Sequence, residues 1–76
     1  MKIYTLKYFN DDDKLFYIKT LSSNGEELKC KKYDNFLSFA RALHYKFDDV
    51  NFNNFNFEGI DITKYDFSGA CINSNV

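Results

Sequence analysis

Val50-Asn51-Phe52-Asn53-Asn54, Phe55-Asn56-Phe57-Glu58-Gly59, Ile60-Asp61-Ile62-Thr63-Lys64, Tyr65-Asp66-Phe67-Ser68-Gly69, Ala70-Cys71-Ile72-Asn73-Ser74: written in fives, the last third of the chain lines up with itself. Phe52, Phe57, Ile62, Phe67 and Ile72 share the central position, and Phe47 precedes them in phase. Two residues ahead of each stands a second apolar series: Tyr45, Val50, Phe55, Ile60, Tyr65 and Ala70. Asn51, Asn56, Asp61 and Asp66 lie between the two series, and a Gly or polar residue follows each centre. A period of five fits neither the 3.6 of a helix nor the 2 of a strand. It is an internal repeat, and repeats of this sort bury each unit against its neighbours.

These five units resemble the pentapeptide-repeat family, whose pattern is small, Asp or Asn, Leu or Phe, polar, Gly-like. The resemblance implies a right-handed quadrilateral β-helix with four units to a turn, over about residues 50–76. It makes Phe52, Phe57, Ile62, Phe67 and Ile72 the inward residues. It places Asn51, Asn56, Asp61 and Asp66 at the outward acidic or amide position, from which Cys71 departs. Phe55, Ile60 and Tyr65 are larger than the family's small residue, so the coil is expected to be either distorted or capped there by bulky side chains.

Ahead of the repeat, Lys2 to Phe9 alternates as a strand, with Tyr4, Leu6 and Tyr8 on one face. Asn10 to Lys14 is rich in turn formers, and Leu15 to Leu21 is aromatic and β-branched. Ser22-Ser23-Asn24-Gly25 is a hairpin turn, since Asn-Gly suits the left-handed backbone such turns need. Leu28 to Tyr33 then makes a third strand. Asp34 reads as an N-cap for a helix over Asn35 to Lys46. Phe36, Phe39, Ala40, Leu43 and Phe47 form its apolar stripe, with Phe47 in its last turn.

The expected fold is mainly β with one helix. A three-stranded antiparallel meander and an α-helix (residues 1–47) cap a short right-handed quadrilateral β-helix of about one and a half coils (residues 48–76), packed as a single domain. Seventy-six residues leave room for one small core. Nine Phe and six Tyr compensate by burying large areas each.

Charge divides between the halves. Residues 1–46 hold nine Lys or Arg against six Asp or Glu, and residues 47–76 hold Lys64 against Asp48, Asp49, Glu58, Asp61 and Asp66. Those five carboxylates are the candidate acidic face. Lys19, Lys29, Lys31 and Lys32 are the candidate nucleic-acid-facing set, with Lys19, Lys29 and Lys31 expected on one open sheet face beside Tyr33. Lysines on an edge strand also serve simply to discourage aggregation.

The sequence holds no catalytic constellation. His44, the single histidine, reads as a partly buried structural residue. Asp11, Asp12 and Asp13 lack the Gly and distal Glu of a calcium loop. Cys30 and Cys71 are too few for a metal or redox motif and read as structural. No enzyme activity, metal or cofactor is expected. With no signal peptide or long apolar run, a reduced cytoplasmic location with no membrane partner is expected.

The expected function is that of a non-enzymatic protein-binding module, a small accessory or inhibitor protein acting on a host protein such as a nucleic-acid enzyme. The Asn-, Lys- and Ile-rich composition points to an AT-rich genome, such as that of a virus or mobile element, and so to the host cytoplasm. A coil end without a cap exposes apolar residues and unpaired backbone. Homodimerisation through it is expected at Tyr65, Phe67, Ile72 and Val76, unless the chain is a piece of a longer solenoid. Some proteins of the resembled family mimic duplex DNA, which carries a charge per about 1.7 Å. One and a half coils span only about 7 Å, which disfavours that role here. The alternatives are a sheet-mediated DNA-binding protein and a purely structural assembly piece.

Overall fold

A computed structural model describes residues 2–73, and Val76 therefore lies outside the described residues. Over the described residues the protein is mainly β, with a single α-helix and one open five-stranded sheet. Strands β1 (Ile3–Asn10), β2 (Leu15–Ser22) and β3 (Glu27–Tyr33) form the antiparallel meander, followed by α1 (Phe36–Ala42). Then come β4 (Val50–Asn53), a 3-10 turn (Ile62–Lys64) and β5 (Cys71–Asn73). The sheet order is β3-β2-β1-β4-β5.

Both turns of the meander form where their residue types require. In the first, Asn10 Oδ1 accepts from the Asp12 amide, and Asp13 Oδ1 accepts from the Leu15 amide. In the second, the Gly25 amide donates to the Ser22 carbonyl at 2.9 Å, and Gly25 takes the left-handed φ of 83°. A bulge at Leu28 follows, because Lys29 faces Thr20 while Glu27 faces Leu21.

The second half of the sheet is parallel and has a fixed offset. Asn51, Phe52 and Asn53 pair with Cys71, Ile72 and Asn73, and Lys46 bridges to Asp66. Each partner is twenty residues on, which is four units of five. On its other side β4 pairs in parallel with β1, Phe52 opposite Phe9. The meander thus places β1 beside the first strand of the repeat.

The five-residue period is also a backbone period. His44, Asp49, Asn54, Gly59 and Gly69 all have positive φ, between 56° and 84°, at a spacing of five with Lys64 the one omission. Where a Val50, Ile60 or Ala70 amide donates back to the Phe47, Phe57 or Phe67 carbonyl, the left-handed residue is third in the turn. That is the position a type II turn demands. Asn56, Asp61 and Asp66 brace successive corners, each accepting from the amide two residues on.

The helix departs from expectation at both ends. Asn35, not Asp34, is the N-cap, its Oδ1 accepting from the Ser38 amide at 2.8 Å. The helix ends at Ala42, four residues before Lys46, in a Schellman motif. The Tyr45 amide reaches the Ala40 carbonyl (2.8 Å), the His44 amide reaches that of Arg41 (3.1 Å), and His44 takes the left-handed position. Phe47 is consequently free of the helix, and its amide donates to the Asp66 carbonyl. His44 is exposed rather than partly buried, since the left-handed turn carries it outward.

One core draws on both halves. Phe16, Phe39, Phe47, Val50 and Phe52 are fully buried, with Phe9 and Ala40 beside them. Phe36 reaches from the helix into the repeat, its ring stacked on Phe55 (5.5 Å) and edge-on to Tyr65 (5.1 Å).

Candidate binding surfaces

The repeat's central residues fall into three classes according to what covers them. Phe47 and Phe52 are fully buried, because α1 and β1 lie on one side of them and Phe67 and β5 on the other. Phe57 and Phe67 are half-buried, 5.6 Å from one another at the margin of the core. Ile62 and Ile72 are 55% and 52% exposed and stand outside the core cluster. Tyr65 is half-buried between Phe36 and Tyr45, and so acts as core wall more than open surface. Of the expected docking residues that are described, Ile72 is the most exposed. Ile62 belongs with it, and its repeat position was the available signal.

The acidic candidates are exposed but do not form one row. Asp61 and Asp66 precede their central residues, whereas Asp48, Asp49 and Glu58 follow theirs. The twenty-residue stacking sets Asp66 beside Lys46, a cation, rather than another carboxylate. Asp61 and Asp66 are also occupied by their own corners. The Thr63 hydroxyl and amide hold the Asp61 carboxyl below its ordinary value, and the Ser68 amide and hydroxyl do the same for Asp66.

Of the basic candidates expected to share a face, Lys29 and Lys31 do so beside Tyr33, on the helix side of the sheet, whereas Lys19 lies on the other face, which corrects its expected place. Cross-strand partners lie on one face, and successive residues alternate. Lys31 is opposite Ile18 and Lys29 opposite Thr20, on the side where α1 packs. Lys19 is opposite Cys30 and Lys32 opposite Tyr17, on the far side. There Tyr8 and Tyr17 stack at 5.1 Å with planes 6° apart, a pair the sequence reading missed. Tyr8 and Tyr17 face each other in register, so strand alternation was the signal. The Lys19 Nζ lies 5.7 and 5.4 Å from the two rings and pairs with Glu27 at 3.5 Å. Bonding to Tyr8, assisted by Glu27, raises the Lys19 pKa. The Tyr17 hydroxyl donates to the Asp13 carboxylate, which pushes the Tyr17 pKa up to about 12 and the Asp13 pKa down.

Among the described residues no three His, Cys, Asp or Glu side chains come together as a metal site. Cys30 is half-buried and Cys71 exposed, both as free thiols. No described helix is long and apolar enough to cross a membrane. No family model matches the chain, and no curated protein or solved structure matches it either.

Proposed function

We propose that this protein is a non-enzymatic protein-binding module: a short right-handed coil of pentapeptide-repeat units capped by a sheet and helix, with the coil end as docking surface. Support for the coil comes from the twenty-residue register and the left-handed residue that returns every five. The observation that carries the function is the graded burial of one repeat position. Phe47 and Phe52 are fully buried between neighbouring segments, while Ile62 and Ile72, equivalent in sequence, stand more than half exposed. Apolar side chains at stacking positions gain most by acquiring another layer. A second copy is the first occupant to test, because self-association is the commonest solution for such a surface. A host protein is the other, consistent with a role as an accessory or inhibitor protein in a host cytoplasm.

Sedimentation velocity of the full chain over a concentration series tests this, beside an Ile62→Lys/Ile72→Lys variant. Dimer formation by the native chain and a monomeric, equally stable variant are expected. Capture of a host protein by the native chain, lost in the same variant, supports the second occupant. A native chain that stays monomeric, together with captured proteins indifferent to the variant, overturns the reading.

A further inference from the structure

The other end of the sheet carries a different surface. Strand β3 is the outermost strand opposite β5, so alternate backbone N–H and C=O groups along it point away from β2. From Leu28 to Tyr33 it reads Leu-Lys-Cys-Lys-Lys-Tyr, three cations and no carboxylate. Lys29, Lys31 and Lys32 are all exposed. The ion pairs among the described residues are Lys14 with Asp11 and Lys19 with Glu27, which leaves these three unpaired. The Lys32 Nζ lies 5.6 Å from the Tyr17 ring, still on the far face.

The placement of these lysines discriminates between partners. A nucleic-acid backbone is met best by cations gathered on one face or groove. Here Lys29 and Lys31 lie on the helix side of β3 and Lys32 on the opposite side, so the positive charge straddles the edge itself. A strand laid along that edge has side chains on both faces, and opposite charges across a strand pair attract. On the helix side a cleft of about 340 Å³ adjoins the strand, lined by Ile18, Thr20, Tyr33 and Leu43 as well as Lys29 and Lys31. A second β3 would bring lysine to lysine, which disfavours a copy of this chain as the occupant.

We infer that β3 takes an acidic extended segment of another protein by strand addition over Lys29 to Tyr33. Main-chain hydrogen bonds supply the register, and carboxylates opposite Lys29, Lys31 and Lys32 supply the selectivity. The complementary pattern is acid, apolar, acid, acid, apolar, because Cys30 and Tyr33 take uncharged neighbours.

The probes are two fluorescein-labelled peptides, Glu-Val-Glu-Glu-Val and its reverse, one for each strand direction. Anisotropy against the full chain is expected to show binding by one of them. N-methylation of its alternate amides, which keeps the charge and removes the ladder bonds, should abolish that binding. The Lys29→Glu/Lys31→Glu variant should bind at least about fivefold more weakly, and the Lys version of the peptide should bind it instead. Hydrogen exchange at the outward-pointing amides between Lys29 and Tyr33 should slow when the peptide is bound. Failure of both peptides to bind, equal binding of the N-methylated peptide, unchanged exchange at those amides, or displacement by a short DNA duplex of equal charge overturns the inference. The last outcome assigns the edge to nucleic acid. None of these readouts involves Ile62 or Ile72, so this inference and the coil-end reading fail separately.

Discussion

Phe47 and Phe67 stand twenty residues apart in sequence, and their rings lie 5.0 Å apart in the fold. The Phe47 amide donates to the carbonyl of Asp66, the residue just before Phe67, at 2.9 Å. The bond belongs to the parallel bridge of Lys46 with Asp66, so side-chain stacking and backbone pairing share the offset of twenty, and burial of a repeat position depends on whether an adjacent segment covers it.

That dependence separates residues with the same place in the repeat. Phe47→Ala removes a fully buried ring and should cost about 3–5 kcal/mol. Ile72→Ala trims an aliphatic side chain that is already half exposed and should change stability by less than about 0.5 kcal/mol in a monomeric sample. Urea unfolding of both variants at low concentration measures the difference. Equal losses would mean that the repeat positions are covered alike.

The backbone period makes a second, independent contrast. Asp49 and Asn54 occupy left-handed positions that Gly takes at Gly59 and Gly69. Asn54→Gly should therefore be neutral or stabilising by up to about 1 kcal/mol, and Gly59→Ala destabilising by about that amount or more. Lys64 is in phase with them but has no positive φ. Lys64→Gly should destabilise, and a gain in thermal midpoint there would place Lys64 in the left-handed series after all.

The helix start offers a test between neighbours. Asn35→Ala removes the acceptor for the Ser38 amide and should cost about 1 kcal/mol. Asp34 is exposed, and its one described side-chain bond is from the Asn35 amide group. Asp34→Ala should accordingly cost less than half as much by thermal or urea unfolding.

Three carboxyls at the acid end, and Tyr17 with Lys19 at the alkaline end, have displaced pKa values that tie stability to pH. Asp13, Asp61 and Asp66 have folded pKa values depressed below 3.8 by the donors that bond them. Their contribution is present above that value and is lost as pH falls through it toward the folded values. Tyr17 is displaced the other way, from 10.0 to about 12, by its bond to Asp13. Its contribution is complete below pH 10 and fades as pH rises toward about 12. Urea midpoints across both ranges should fall at each end. In Tyr17→Phe the part of the alkaline loss that comes from this phenol should disappear, and persistence of the full loss would assign it to other groups.

Much of the fold was legible in the sequence because its signals are local. Strand alternation, the turn formers at Asn10 to Lys14 and the Asn24-Gly25 pair act within a few residues, and the meander follows from them. The helix end was misread because the stripe from Phe36 to Phe47 continues in phase. What stops the helix is His44 in a left-handed turn, a position where Gly is the usual signal. The basic residues were misassigned for a related reason: alternation sorts Lys29 and Lys31 from Lys32 within one strand but does not relate one strand's faces to the next. Only the pairing of Lys19 with Cys30 shows that Lys19 lies on the face away from Lys29 and Lys31.

By itself, then, the sequence determined a five-residue unit, its apolar and polar positions, and an aromatic core in a chain this short. The tertiary structure alone decided that β1 joins β4 in parallel, and so which central residues are enclosed. Phe47, Phe52, Ile62 and Ile72 are equivalent in the repeat, and local patterning specifies only which way such side chains point. Burial needs a second segment on top, and where that segment comes from is set by long-range pairing between Phe9, Phe52 and Ile72.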